Sequence, residues 1–487
     1  MSSRLRHSYA PVQRVVGLLL MFLSIGFIPP MIFASANHDG AAGAFLASAV
    51  AVSLVGLLMY FPVRRNQREL RVADGFLVVV ACWAAVSLAG AVPFVLVLDV
   101  SLVDAVFEST SGITTTGATV FSGLDNMPIS IRWYRQQLHW MGGLGIIVLA
   151  VAILPMLKVG GMEIYRAEVT GPVKENRLTP RIAETAKALW LIYIGLTVIC
   201  ALALWAAGMS LFDAVTHSFS TIATAGFSTY DASIGHFDSA LIEVLLIGFM
   251  FIAGINFALH FLALRRASAQ SYLNDPELRL FCILLVGTSL LITLLLWQQN
   301  VYDDVWQSLR FAAFQAVSYM TTTGFGTADV YLWPGTLPLL MILISGLGGC
   351  AGSTTGGFKI VRVYLVSKQG LRELRRLIHP RSVVPLKLGG RTLRDEVANA
   401  VWGFVSLYIA SIVILTLIVS SLEQDLVTSV SVVFSAINNL GPALGEAGPN
   451  WGGLSEATKW LMSFAMLLGR LEIFTVLVLL TPTYWRH

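Results

Sequence analysis

The sequence predicts an all-α polytopic membrane protein, with four pseudo-symmetric helix–pore-loop–helix repeats around one pore and an N-terminal helix hairpin. Three observations predict it. The 487 residues are 56% hydrophobic and only 12% charged, about half the charged share of a soluble domain. Apolar windows of about 20 residues, long enough to span a bilayer, recur along the chain. A short strip occurs four times: Thr-Thr-Thr-Gly-Ala-Thr at 114–119, Ala-Thr-Ala-Gly-Phe-Ser at 223–228, Thr-Thr-Thr-Gly-Phe-Gly at 321–326 and Asn-Asn-Leu-Gly-Pro-Ala at 438–443. Its glycines, Gly117, Gly226, Gly324 and Gly441, stand 109, 98 and 117 residues apart. Six residues before each is a serine: Ser111, Ser220, Ser318 and Ser435. Four copies at near-even spacing imply one element repeated about a single axis.

The elements follow in order. Residues 15–34 and 41–62 read as two helices joined by a loop holding Asn37, His38 and Asp39. The first would act as an uncleaved start-transfer helix, since no small-residue cleavage site follows it. This hairpin, residues 1–72, lacks the strip. Repeat 1 (73–182) has a long helix at 74–98, a short one beginning near Asp104, the first strip and a closing apolar helix at 133–156. Repeat 2 (183–275) has 185–208, a short helix from Asp213 and a closing helix at 238–263. Repeat 3 (276–395) has 278–298, a short helix from Asp303 and Asp304, and an apolar stretch from 335. Repeat 4 (396–487) has 398–421, a short helix from Asp425 and a closing helix at 457–481. An aspartate beginning a short helix accepts bonds from free N–H groups at its positive dipole end. Non-helical backbone at membrane depth is tolerated only where protein buries it or where it lines an aqueous cavity, so the four strips are expected to line one.

Charge orients the chain. Arg4, Arg6 and Arg14 precede the first helix, and further basic clusters occupy Arg64–Arg71, Lys158–Arg181, Arg265–Arg279 and Arg362–Arg394. All fall on one side if each half-helix re-enters from the other, and the positive-inside rule makes that side cytoplasmic, with both termini on it. Asp99, Asp104, Asp125, Asp213, Asp231, Asp238, Asp329, Glu446 and Glu456 fall on the opposite side, where an acidic mouth would concentrate cations. Some of these acids would serve only as helix caps. Cys82, Cys200, Cys282 and Cys350 show no disulfide or zinc spacing. His139, His217, His236, His260 and His379 are too scattered for a metal site. The basic segment 359–394 is expected to dock a partner and touch lipid, with no role for nucleic acid.

The strips carry the chemistry. A dehydrated monovalent cation needs a cage of oxygens, which backbone carbonyls facing an axis supply. Glycine permits the required angles and close approach. Threonine adds a hydroxyl and no charge, so the ion is held weakly enough to leave. The half-helices aim their negative C-terminal ends inward. Two further features stand out. Residues 345–357 hold six glycines in thirteen, which no stable helix interior accommodates, since each costs about 1 kcal/mol relative to alanine. Such a break either lets helices pack closely or lines the pathway. Arg470 lies within the apolar run 457–481, either as a structural pair with Glu472 or Glu108, or as a charged barrier in the cavity below the strips.

At this point the sequence resembles the TrkH family, the membrane subunits of bacterial Trk potassium uptake systems in the wider Trk, Ktr and HKT superfamily. The strings that carry the resemblance are Ser-Gly-Ile-Thr-Thr-Thr-Gly-Ala-Thr (111–119), Gly-Gly-Leu-Gly-Ile-Ile-Val-Leu-Ala-Val-Ala-Ile-Leu-Pro (142–155), Arg-Ile-Ala-Glu-Thr-Ala-Lys (181–187), Gly-Gly-Cys-Ala-Gly-Ser-Thr (348–354), Asn-Asn-Leu-Gly-Pro (438–442) and Gly-Arg-Leu-Glu (469–472). The extra helix pair resembles the Trk branch. The resemblance implies potassium uptake across the bacterial inner membrane and a homodimer with a pore in each protomer. It also implies a TrkA-like cytoplasmic subunit that binds nucleotide and gates the pore, with no cofactor in this chain and potassium as the substrate. It assigns ion coordination to Thr115, Thr116, Gly117, Thr224, Ala225, Gly226, Thr322, Thr323, Gly324, Asn439, Leu440 and Gly441. Some members with serine at the first glycine favour sodium, so Gly117 points to potassium. The fourth strip departs most, which puts four-fold coordination in doubt. The resemblance also makes the glycine-rich stretch an intramembrane gate, with Gly346, Gly348, Gly349, Gly352, Lys359 and Arg470. The alternatives are a sodium- or proton-coupled symporter, a polytopic membrane enzyme and a receptor or scaffold. No isolated intramembrane carboxylate pair supports proton coupling, no catalytic cluster supports an enzyme, and a receptor would not need four strips.

Overall fold

Six helices among the described residues are long and apolar enough to cross a membrane: Ala10–Asn37, Ala42–Val63, Ala73–Leu98, Ala186–Ala206, Pro276–Gln298 and Asp395–Glu423. The structure, a computed structural model, describes residues 9–66, 68, 71–149, 179–382, 384–389, 391–393, 395–423 and 425–486. Arg4, Arg6, Lys158, Arg166, Lys174, Arg177, Arg394 and the end of the helix expected at 133–156 lie outside the described residues.

The long helices present apolar side chains outward. Leu58 is 74% exposed and Leu417 67%, a pattern that water would penalise and lipid accepts. Proline breaks two of them. Ala10–Ile25 yields to Ile28–Asn37, whose first turn holds Pro29, and Val72–Gly90 yields to Val92–Leu98 with Pro93 in its first turn, because proline lacks the N–H and its ring clashes with the preceding turn. The N-terminal hairpin is fastened by small residues. A Cβ on Gly17 would lie 2.8 Å from the Gly56 carbonyl oxygen, and one on Gly56 would lie 2.8 Å from that of Gly17, the close backbone approach that glycine permits between membrane helices.

Four half-helices lead into the four strips: Leu102–Ile113, Leu211–Ala223, Val305–Met320 and Leu426–Asn438. Their caps refine the expectation. Asp304 and Asp425 are true N-caps, accepting from Gln307 N at 2.7 Å and Thr428 N at 2.9 Å. In the first two the cap is Ser101 or Ser210, each accepting from the N–H of Asp104 or Asp213 at 3.1 Å, so those aspartates lie inside the first turn. Lys459, on the last closing helix, reaches Asp104 at 2.7 Å and so joins the fourth unit to the first.

The closing helices differ most from expectation. The first, Ile129–Val148, is polar around its middle: Arg135, Gln136 and His139 are wholly buried there. The second breaks into Ala240–Ala253 and Phe257–Arg266, bent by 92°. The third stops at Ser345 and resumes only at Ile360. The fourth breaks between Arg470 and Phe474. Interruption is therefore common to the last three units and is not confined to the third. Among the described residues the regular structure is helical apart from one antiparallel pair of two-residue strands, Lys387–Leu388 with Arg391–Thr392.

Candidate functional site

The four strips adopt one backbone form. The residue two before each glycine is left-handed, with φ of 52° at Thr115, 49° at Thr224, 54° at Thr322 and 54° at Asn439. Each glycine has positive φ: 79° at Gly117, 86° at Gly226, 80° at Gly324 and 98° at Gly441. The residue between them donates its N–H to the serine six before the glycine. Thr116 to Ser111 O and Ala225 to Ser220 O are 2.9 Å, Thr323 to Ser318 O is 2.8 Å and Leu440 to Ser435 O is 3.0 Å. The repeated serine thus marks the residue whose carbonyl ends each half-helix.

The strips close into a ring. A Cβ built on Gly117 would strike the carbonyl oxygen of Ala225; one on Gly226 would strike that of Thr323, and one on Gly324 that of Leu440. The circuit closes at Gly441, where a Cβ would lie 2.7 Å from Thr116 O. Every glycine therefore makes room for the carbonyl just before the next strip's glycine. The twelve residues expected to coordinate an ion stand together in this ring. The fourth strip, expected to depart, keeps the backbone of the others, because asparagine tolerates the left-handed region. Side chains instead follow a two-fold pattern: Thr116 and Thr323 occupy one pair of strips, Ala225 and Leu440 the other. In the first pair the hydroxyls of Thr114 and Thr116 lie 2.8 Å apart, as do those of Thr321 and Thr323.

The glycine-rich loop lies directly against the ring. Thr354 Oγ1 donates to Ile222 O at 3.0 Å and accepts from Thr224 Oγ1 at 3.1 Å, beside strip 2. Gly356 N donates to Thr322 Oγ1 of strip 3 at 2.6 Å, and Gly357 N to Asn438 O of strip 4 at 3.0 Å. Strip 1 is reached through Arg470, which donates from Nε to Thr114 O at 2.6 Å, from Nη2 to Thr115 O at 3.3 Å and to the Thr115 hydroxyl, and from Nη1 to Thr354 O at 3.1 Å. Of the expected loop residues, Gly348 and Gly352 have φ of 70° and 76°, and Gly349 has no space for a Cβ beside Thr355. Gly346 packs on Phe434, at the end of half-helix 4. Lys359 bends back so that its ammonium donates to the Thr355 carbonyl and, at 3.1 Å, to the Thr355 hydroxyl. A cavity of about 30 Å³ between Gly352, Thr355, Lys359 and Arg470 holds only a water or two.

Both ion-pair partners considered for Arg470 are engaged elsewhere. Glu108 pairs with Arg135 at 2.8 Å, both side chains fully buried, and Glu472 pairs with Arg362. Arg470, within the fourth unit, faces the first strip, the neighbour in the ring of its own unit's strip. Its neighbour Gly469 meets the fourth unit, at Ile437 O.

Three residues that matter here escaped the sequence. Glu277 accepts from both Ala351 N at 2.8 Å and Val361 N at 3.0 Å, tying the middle of the loop to the first turn of the helix that follows it; a lone glutamate in the first turn of an apolar helix was its only signal. Thr354 carries the loop's side-chain bonds to strip 2, and Thr355 accepts from the Lys359 ammonium; the string 348–354 includes Thr354 but gives it no role. The Glu108–Arg135 pair escaped as well: in the sequence Glu108 stands only as a possible partner of Arg470, and Arg135 lies in a segment that reads as apolar.

The surface charges sort into two groups. Asp99, Asp125, Asp231, Asp238, Asp329, Glu446 and Glu456 are exposed, whereas Asp213 is buried and accepts from Thr229 Oγ1 at 3.0 Å and Tyr230 Oη at 3.1 Å. Burial, and then the Asp213 carboxylate, push the Tyr230 phenol above its ordinary pKa, which keeps it a donor. On the basic side Arg362 and Arg372 are buried in ion pairs, with Glu472 and Asp395, leaving Lys368, Arg375, Arg381 and Lys387 exposed. Among the described residues no group of three His, Cys, Asp or Glu side chains could hold a metal ion, and the four cysteines are free.

Comparison with known proteins adds to this geometry. The family described as TrkH, a cation transport protein, matches residues 42–486. The Trk system potassium uptake protein TrkH of Halomonas elongata is 50% identical over 477 residues, spanning 98% of this chain and 99% of its own. That of Escherichia coli strain K12 is 47% identical over 481 residues, spanning 98% of this chain and 100% of its own. The crystal structure of the potassium transporter TrkH from Vibrio parahaemolyticus matches with a TM-score of 0.92 at 46% identity, over 98% of this chain and 100% of that one.

Proposed function

The chain belongs to the TrkH family of cation transport proteins, and from that premise we propose that it is the membrane subunit of a Trk potassium uptake system. Potassium crosses the bacterial inner membrane through the ring of four strips. The observation that carries this reading is the closed circuit of glycines and carbonyls at Thr116, Ala225, Thr323 and Leu440. Neutral carbonyl oxygens replace the hydration shell of a monovalent cation. The absence of a carboxylate from every strip lets the ion move on.

The loop 345–357 is the gate. At rest it closes the path beneath the ring, held by Arg470 and Lys359 from within and by Glu277 from the cytoplasmic end. The guanidinium on the Thr115 carbonyl competes with an ion for the innermost oxygens, so outward movement of the loop and Arg470 together opens the path. The exposed Lys368, Arg375, Arg381 and Lys387 dock a TrkA-like nucleotide-binding subunit, and the protein acts as a homodimer with one pore per protomer. The measurement that tests this is 86Rb+ uptake into proteoliposomes, with and without a sodium or proton gradient. Gradient-independent uptake that exceeds 22Na+ uptake is expected. No Rb+ uptake rejects the transport reading, and a requirement for either gradient replaces simple permeation with coupled transport.

A further inference from the structure

Nine residues before each strip glycine, on the buried face of each half-helix, stand Glu108, His217, Gln315 and Val432. All four are fully buried. The first three reach the chain just beyond the glycine. Glu108 accepts from Thr119 Oγ1 at 3.0 Å and Val120 N at 3.1 Å. His217 Nε2 lies 2.9 Å from Ser228 Oγ, and Gln315 Nε2 donates to Ala328 O at 3.1 Å. In the fourth unit Val432 has no polar group, and its neighbour Ser431 accepts from Leu444 N at 2.9 Å. Each strip is thus strapped from behind, with four different chemistries.

The first strap joins two strips by hydrogen bonds. Arg135, from the first closing helix, donates from Nε to Glu108 Oε1 at 2.8 Å, from Nη2 to Thr119 Oγ1 at 3.1 Å and from Nη1 to Ser228 O at 3.1 Å. Its guanidinium lies 4.1 Å above the Phe227 ring. Thr119 follows Gly117 by two residues, and Ser228 follows Gly226 by two. A rigid planar fork therefore fixes equivalent points of strips 1 and 2 relative to each other. A buried ion pair is a poor source of net stability, and well-packed apolar residues usually serve as well. Stability alone does not explain why one stands here.

We infer that Glu108 and Arg135 are positioning residues that set the spacing of strips 1 and 2, and through it the preference of the ring for potassium over sodium. The inference rests on the filter reading above. The Arg135 fork holds the carbonyls of Thr116 and Ala225 apart at the distance a larger ion needs. Loosening it lets that side of the ring contract around a smaller one.

The test compares 86Rb+ with 22Na+ uptake by the full-length protein in proteoliposomes. Arg135→Lys keeps the charge and loses the fork, and its Rb+:Na+ ratio is expected to fall about tenfold, the effect of about one charged hydrogen bond. Thr119→Val removes the hydroxyl's bonds to Glu108, Arg135 and Phe121 N at nearly constant shape, and a fall of about threefold is expected. Wild-type ratios in both variants overturn the inference. Where Arg135→Lys does not fold, Thr119→Val alone decides, and an unchanged ratio overturns it. A wild-type protein that takes up Rb+ no better than Na+ sinks the filter reading itself, an outcome separate from either variant's.

Discussion

Alanine in place of each strip glycine, one at a time, perturbs the ring by a graded amount. The backbone cost is nearly common to all four, since each glycine has φ between 79° and 98° and a left-handed non-glycine residue costs about 1–2 kcal/mol. The steric cost is not common. Measured against the 3.0 Å that real Cβ atoms respect, the added carbon overlaps the neighbouring carbonyl oxygen by about 1.0 Å at Gly117 and Gly226, about 0.8 Å at Gly324 and about 0.3 Å at Gly441. The struck atom is backbone, held by the hydrogen bond its own residue makes to the half-helix, and has no rotamer to escape into. The carbonyl, or its whole strip, must move by about the overlap.

A binding constellation works within about 0.5 Å of its productive geometry. Gly117→Ala, Gly226→Ala and Gly324→Ala exceed that tolerance and are expected to lose the Rb+:Na+ preference. Gly441→Ala stays within it and keeps most of the preference. The assay is paired 86Rb+ and 22Na+ uptake into proteoliposomes, restricted to variants whose gel-filtration profile and melting temperature match the wild type. If Gly441→Ala loses as much discrimination as Gly226→Ala, backbone strain rather than carbonyl displacement governs the filter. If Gly226→Ala keeps the wild-type ratio, the carbonyl ring is not the ion cage.

Three further outcomes are expected. Arg470→Gln deletes the link between strip 1 and the loop, and each hydrogen bond from a charged donor is worth about 1.5–3 kcal/mol. Losing the one to Thr354 raises basal Rb+ uptake, without the cytoplasmic subunit, about tenfold or more; unchanged leak refutes the barrier, as unchanged leak after shortening 346–352 refutes the gate. Glu277→Gln keeps the shape but weakens the acceptor for Ala351 and Val361, so basal uptake rises while the Rb+:Na+ ratio stays at the wild-type value; a changed ratio with unchanged leak contradicts the assignment. Ser210→Ala removes the cap of half-helix 2 and costs about 1 kcal/mol of stability, visible as a lower melting temperature in detergent with an unaltered ratio.

The half-helices, their strips and the ring were legible because a periodic signal marks them: one serine, one glycine and an apolar helix on either side, four times over. The left-handed φ at Asn439 followed from no pattern, yet asparagine is the residue other than glycine that best accepts it. The breaks at 254–256 and 471–473 were not legible. Only Gly254 and Gly469 mark them, and each break depends on what a distant segment offers the freed backbone, as when Gly254 O accepts from Cys350 N at 2.9 Å. The first closing helix was misjudged for the related reason that Arg135, Gln136 and His139 find partners only across the fold. Hydropathy averages over such residues, and pairing across 27 residues between Glu108 and Arg135 leaves no local trace.

On the proposed function, the same contrast explains how one chain would combine a four-fold filter with a single gate. In that reading ion coordination falls to backbone carbonyls, so the side chains are free to differ, and Leu440 stands in strip 4 where Thr323 stands in strip 3. Below the ring the freedom is used. Among the described residues only the third unit inserts a loop and only the fourth carries an arginine at its break, yet the two meet at Thr354. The loop touches strips 2, 3 and 4 directly and strip 1 only through Arg470, so a displacement of the loop reaches all four strips. A gate tied to each strip of a symmetric filter can obstruct the pore without being symmetric itself. On this proposal, opening releases the ring's lower oxygens at the same moment that it clears the path.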